Sequence, residues 1–311
     1  MAEPGRRHQL QWRRLRHQPR LRHPHAGATR ARPAASRHRR PRPDPRPPPR
    51  PRLTLVTLIT GAASGIGAAL ARRLARPGTA LALHTRANTA GLAAVAAEAE
   101  AAGAATLRLT GDLADATTPA ALIAATLTRF GRLDRLIANA GYADRTPATA
   151  LDSAALDRAH RTLLAGFHAL VRAALPALRD AERPAILAVS AFGAHAVGPD
   201  WPLFPATAAA KAGLEVLVRA LAVELAPEGI QVAAVIPGFI AKDPGAGAAL
   251  APRTAAAAAS RVPLGRPGRA HEVAAVIAFL LEARLSGQCV AVDGGLLAAH
   301  AVSAFQAGLG L

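Results

Sequence analysis

From Leu53 onward, short apolar runs alternate with longer stretches in which apolar residues recur every three or four positions. The runs predict strands over residues 53–60, 79–84, 104–109, 133–138, 185–190, 230–236 and 288–292. Helical patterns begin near Gly65, Thr89, Thr117, Asp152, Pro205 and His271. Strict alternation of strand and helix is the signature of βαβ units, which build a parallel sheet covered on both faces. The expected fold is an open, doubly wound α/β sheet of about seven strands in three αβα layers, one domain over residues 53–311. No segment repeats at a period of 20–50 residues, which excludes a solenoid or propeller.

Composition changes the picture only before residue 53. Residues 1–52 hold 16 arginines, 11 prolines and five histidines against two acids, a charge of +14 out of the chain's +18. So little apolar surface cannot offset the entropy of ordering the backbone, and a disordered tail is expected. Its arginines would suit nucleic acid or another anionic surface; a merely solvated extension, such as an upstream stretch translated from a mis-assigned start, is the plainer reading. The remaining 22 basic and 18 acidic side chains leave the body near balance, so a nucleic-acid-binding body is not expected. The single cysteine, Cys289, excludes an intramolecular disulfide and fits a reducing, cytoplasmic setting. No uninterrupted apolar run is long enough to span a membrane. Arginine outnumbers lysine 36 to 2, a bias we read as the shadow of a GC-rich coding sequence.

Chemistry enters at the end of the first strand, where Thr60-Gly61-Ala62-Ala63-Ser64-Gly65-Ile66-Gly67 leads into the first helical pattern. Glycines there let the backbone approach a pyrophosphate, and the helix N-terminus offers unpaired N–H groups and a partial positive charge. The spacing therefore points to a dinucleotide. Later blocks occur in a fixed order: Asn139-Ala140-Gly141, Ala208-Ala209-Ala210-Lys211, Pro237-Gly238-Phe239-Ile240, and Val292-Asp293-Gly294-Gly295. Together with Thr-Gly-x-x-x-Gly-x-Gly, they resemble the short-chain dehydrogenase/reductase family over residues 53 to about 297. The resemblance implies a Rossmann-like fold and an NAD(P)-dependent oxidoreductase acting on a small carbonyl or alcohol. It implies cofactor contacts from Thr60, Gly61, Ser64, Gly65, Ile66, Gly67, Asn139, Ala140, Gly141, Lys211, Pro237 and Gly238. Asp112 matches the position that accepts from the adenine amino group, although a turn acid preceding a helix looks the same. At the end of the second strand stand His84, Thr85 and Arg86, with no carboxylate to repel a 2′-phosphate, so NADP is expected over NAD. Arg86 as a solvated loop residue is the alternative.

The catalytic pattern departs from the family. The resemblance implies a tyrosine four residues before the lysine as proton donor, with the lysine lowering its pKa, a serine holding the carbonyl oxygen and an asparagine holding a relay water. Lys211 is present, but Thr207 occupies the tyrosine position. The asparagine position falls on Thr162 or Leu163. Ser190 reads as the serine in Ser-x-x-Gly, unless a paired-serine alignment makes it Ala191. Lys242 replaces the family threonine near the nicotinamide. Ser190, Thr207 and Lys211 are thus the expected catalytic set, with proton transfer weakened by up to about 10²–10⁴. Tyr142, the one tyrosine in the chain, and His195 are candidate substitute acids, each with a packing or solvent role as the alternative. A pseudoenzyme that keeps the nucleotide site as a binding module is the competing function. No histidine spacing suggests a metal. The helical stretches 152–178 and 205–226 resemble the family's oligomer-forming helices, so a homodimer or homotetramer is expected.

Overall fold

A computed structural model describes residues 55–197, 204–241, 256–257 and 259–309. The basic segment and residues 242–255, Lys242 included, lie outside the described residues.

Seven strands form one wholly parallel sheet: β1 Leu55–Ile59, β2 Thr79–Thr85, β3 Ala105–Thr110, β4 Arg135–Ala138, β5 Ala185–Val189, β6 Gln231–Pro237 and β7 Cys289–Val292. Their order is β3-β2-β1-β4-β5-β6-β7. The helices are α1 Gly65–Leu74, α2 Thr89–Ala101, α3 Thr118–Phe130, α4 Ser153–Ala159, α5 Gly166–Arg179, α6 Pro205–Glu224, α7 Ala270–Ala283 and α8 Leu296–Leu309. The expected fold class holds, and strand bounds agree within two residues. The 152–178 pattern is interrupted: a π-helical turn, His160–Ala165, separates α4 from α5. The sequence pattern also missed α8, which begins where the last recognisable block ends.

Alternation along each strand supplies both faces of the sheet. Val56 and Leu58 pack with Leu136, Leu170 and Val218 in one core, while Ile59, Leu81 and Leu83 pack with Leu70, Val273 and Ile277 in the other. Full burial of each such side chain contributes about 1.5–3 kcal/mol. Chain direction across the sheet reverses between β1 and β4, and a crevice therefore opens beyond their carboxyl ends.

Polar fasteners set the entrance to these strands. Gly131 adopts a left-handed φ of 76° and donates its N–H to Leu127 O at 2.7 Å, ending α3. The buried Asp134 carboxylate accepts from Val56 N at 2.7 Å and from Arg132 Nη2 at 2.6 Å, which aligns the starts of β1 and β4. Arg135, buried in β4, pairs with Glu282 near the end of α7 at 2.8 Å, and this bond holds the Glu282 carboxyl below its usual range.

Candidate active site

The crevice is a cleft of about 980 Å³ that reaches from the turn after β1 to the start of α6. Its floor joins two turns. Gly61 has φ +67°, and a Cβ there would lie 2.8 Å from Ala140 Cα; a Cβ on Gly67 would lie 2.3 Å from Gly61 O and 2.6 Å from Asn139 Nδ2. Close packing of the two turns thus demands glycine at both positions. Asn139 Nδ2 donates to Thr60 O at 2.9 Å and to Gly61 O at 3.0 Å. In return, Thr60 Oγ1 accepts from the N–H groups of Asn139 and Ala140 at 3.1 and 3.0 Å. Asn139 and Thr60 therefore shape the cradle through each other. Ser64 stands at the N-terminus of α1 without capping it, so its hydroxyl sits at the positive end of that helix, on the cleft wall.

At the β2 end, His84 Nε2 lies 3.0 Å from Gly111 O, and burial depresses the imidazole pKa. The neutral ring donates from Nε2 and staples β2 to the loop after β3, a structural task consistent with its 1% exposure. Arg86 is exposed on the cleft wall, and residues 84–88 contain no carboxylate. Asp112 lines the same wall, with Oδ1 accepting from Ala114 N at 3.0 Å.

The other end collects the expected catalytic set. Ser190, at the end of β5, and Thr207 and Lys211, one turn apart on α6, all line the cleft and all are buried. Lys211 Nζ donates to Val189 O at 2.6 Å, and burial, opposed by the nearby Glu215 carboxylate, lowers its pKa to about 8. Thr207 Oγ1 donates to Tyr142 O at 3.2 Å and accepts from Asp144 N at 3.1 Å, so its single proton is already engaged. The π turn sends Thr162 and Leu163 to different surroundings. Leu163 is buried against Ala159, Ala206 and Ala210, whereas Thr162 lines the cleft. Tyr142 packs against that same apolar cluster and also lines the cleft, and burial raises its phenol pKa. Pro237 and Gly238 line the cleft beyond β6, where a Cβ on Gly238 would lie 2.8 Å from Asp293 Cα. Phe192 and Phe239, ring centroids 4.5 Å apart, form an apolar wall together with Phe204.

One residue of the site escaped sequence reasoning. Glu215, one turn beyond Lys211 on α6, is 2% exposed and accepts a short hydrogen bond from Ser190 Oγ. The same Oε1 lies 2.9 Å from His195 Nε2. The signal was present as a lone carboxylate in the apolar stretch Ala212-Gly213-Leu214-Glu215-Val216-Leu217.

A family model described as enoyl-(acyl carrier protein) reductase matches residues 61–297. The chain is 40% identical over 247 residues to cis-4-hydroxycyclohexanecarboxylate dehydrogenase of Sinomonas cyclohexanicum, covering 78% of this chain and 96% of that protein. The protein belongs to the short-chain dehydrogenase/reductase family. Another relative is 3-oxoacyl-[acyl-carrier-protein] reductase of Staphylococcus aureus, 31% identical over 247 residues, 78% of this chain and 98% of that protein. A short-chain dehydrogenase from Burkholderia cenocepacia, solved in complex with NADP, superposes with a TM-score of 0.72 at 30% identity over 79% of this chain and 99% of that one. The protein is thus a short-chain dehydrogenase/reductase of NAD(P)-dependent oxidoreductase type, with the seven-stranded parallel sheet of that family.

Proposed function

We propose that the protein interconverts a carbonyl and an alcohol with NADP(H), by a proton transfer altered from the family pattern. The observation that carries this reading is the cleft itself, in which a glycine cradle, an exposed Arg86 and a buried Lys211 beside Ser190 share one wall system. The cradle fits a dinucleotide: the backbone is bare at Gly61, Gly65 and Gly67, and an uncapped helix N-terminus faces the cleft. Gly61, Ser64, Ile66, Asn139, Ala140, Gly141, Pro237 and Gly238 would hold it, with Asp112 toward the adenine and Arg86 toward the 2′-phosphate. When bound, the nicotinamide supplies or accepts a hydride.

Lys211, with a pKa near 8, is largely protonated at neutral pH and would hold a ribose hydroxyl. Ser190 lines the same end of the cleft, where its oxygen would meet the substrate oxygen while its proton goes to Glu215. Thr207 is an aliphatic alcohol whose proton is held by the Tyr142 carbonyl, so it is a poor replacement for a phenol of pKa about 10. The apolar wall of Phe192, Phe204 and Phe239 suits an alicyclic or other aliphatic substrate body, in keeping with the name of the 40% identical relative.

Calorimetric titration with NADP and NAD, followed by turnover with 4-hydroxycyclohexanecarboxylate and a ketone panel, tests this. NADP is expected to bind tighter, and Arg86→Asp to reverse the order by about tenfold or more, since a charge-assisted contact contributes about 1.5–3 kcal/mol. Tight NADP binding with no turnover on any substrate would favour the second reading, a nucleotide-binding pseudoenzyme, which the engaged Thr207 hydroxyl supports.

A further inference from the structure

The proton path that the family resemblance implies has lost both its phenol and its amide, at Thr207 and Thr162. A different chain of hydrogen bonds leaves the same cleft. Ser190 lines it, yet the Ser190 hydroxyl donates away from it, to Glu215 Oε1. That oxygen also meets His195 Nε2 at 2.9 Å, and the His195 side chain is 36% exposed, outside the cleft lining. Three groups therefore run in series from the reacting end of the cleft, through a buried carboxylate, to solvent. Each link is a hydrogen bond, and each group can both take and give a proton.

We propose that Ser190, Glu215 and His195 form a proton relay between the substrate oxygen and solvent, in place of the transfer that Thr207 cannot supply. The inference rests on the oxidoreductase reading. In the oxidative direction the substrate O–H bond breaks and its proton passes to Ser190 Oγ as the Ser190 proton passes to Glu215 Oε1. The hydride lost from the same carbon belongs to the NAD(P)-dependent half of the reaction, and the C=O bond forms. Glu215 then passes its proton to His195 Nε2, and the ring loses it to water. Reduction runs the same chain backwards.

Four other polar side chains surround Glu215. Lys211 precedes it by one turn, Arg219 Nη1 lies 3.9 Å from Oε2, His195 sits on Oε1, and Cys289 of β7 approaches with its thiol raised by burial and by the Glu215 charge. Lys211 and Arg219 flank the carboxylate on one side, and the His195 ring provides the exit on the other.

Three variants are compared in the full chain with NADP. His195→Ala is expected to lower kcat about 10²-fold and to recover with millimolar imidazole, because a free imidazole fills the solvent end. Glu215→Gln keeps the shape and a hydrogen bond but interrupts the relay, so it is expected to lower kcat similarly without imidazole rescue. Ser190→Ala is expected to behave as Glu215→Gln does. Calorimetry with NADP is expected to leave binding by His195→Ala and Ser190→Ala unchanged. Independently of turnover, 15N NMR of the His195 imidazole is expected to show its Nε2 resonance move on Glu215→Gln. Unchanged kcat in His195→Ala, an imidazole-insensitive loss, or an unmoved Nε2 resonance overturns the relay while leaving the oxidoreductase reading standing. A wild-type protein that binds NADP and turns over nothing overturns that reading, and the relay with it.

Discussion

Lys211 and Thr207 show how much depends on single side chains. Lys211 is wholly enclosed, and its pKa is lowered from 10.5 to about 8, chiefly by desolvation. Between pH 8 and 10.5 the unfolded chain holds a proton on this lysine that the folded chain has released, so stability rises with pH across that window. Urea unfolding midpoints measured from pH 7 to 11 are expected to show this rise, and Lys211→Met to flatten it. Thr207 is tied to backbone on both sides of its hydroxyl, and Thr207→Tyr places an ionisable phenol one turn from the lysine. Carbonyl reduction, read as kcat/KM, is expected to rise by up to about 10². No gain, in a variant that still binds NADP, would mean that proton transfer does not limit turnover. The motif spacing already placed Ser190, Thr207 and Lys211 together; it gave no sign that the Ser190 proton turns toward Glu215.

Among the elements, the βα turn after β1 and the turn after β4 act as one unit. The glycine spacing announced a phosphate cradle, but two of its glycines answer to packing: a Cβ on Gly67 would sit 2.3 Å from Gly61 O. Gly67→Ala is therefore expected to destabilise the protein by about 1–3 kcal/mol, because the neighbour in the way is backbone that must move. Thermal unfolding checks this, and NADP affinity is expected to fall with it, since Asn139 would be displaced from Thr60 and Gly61. The π turn at His160–Ala165 is the counterpart on the opposite wall. It turns Thr162 to the cleft and Leu163 to the core, two positions between which the sequence alignments were divided.

At the scale of the molecule, the two faces of the sheet are covered but some helix surfaces are not. Val216 and Val223, seven residues apart on α6, are 58% and 76% exposed, and Phe279 on α7 is 62% exposed. Apolar side chains repeated on one helix face suit a symmetric contact with another copy. Light scattering at micromolar concentration is expected to give a dimer or tetramer, and Val223→Asp to shift it toward a smaller species. A monomeric wild-type protein would assign these residues to the surface of a single chain. Among the described residues no helix is long and apolar enough to cross a membrane, and no cluster of histidine, cysteine and carboxylate side chains is placed to hold a metal.

Sequence alone determined the alternation of strands and helices, because apolar periodicity is a local property that survives without knowledge of partners. It determined the glycine turn, Lys211, the threonine four residues before it and the absence of a carboxylate in residues 84–88 for the same reason: each is read from residue types at fixed local spacing. Tertiary structure alone decided which residues meet across distant segments. Glu215 and His195 lie 25 and five residues beyond Ser190 in the chain, yet they converge on one another because the turn after β5, Phe192–Ala194, packs against α6. Folding also buried the His84 ring and partly buried Tyr142, lowering the one pKa and raising the other, since desolvation depends on what surrounds a group and not on its neighbours in sequence.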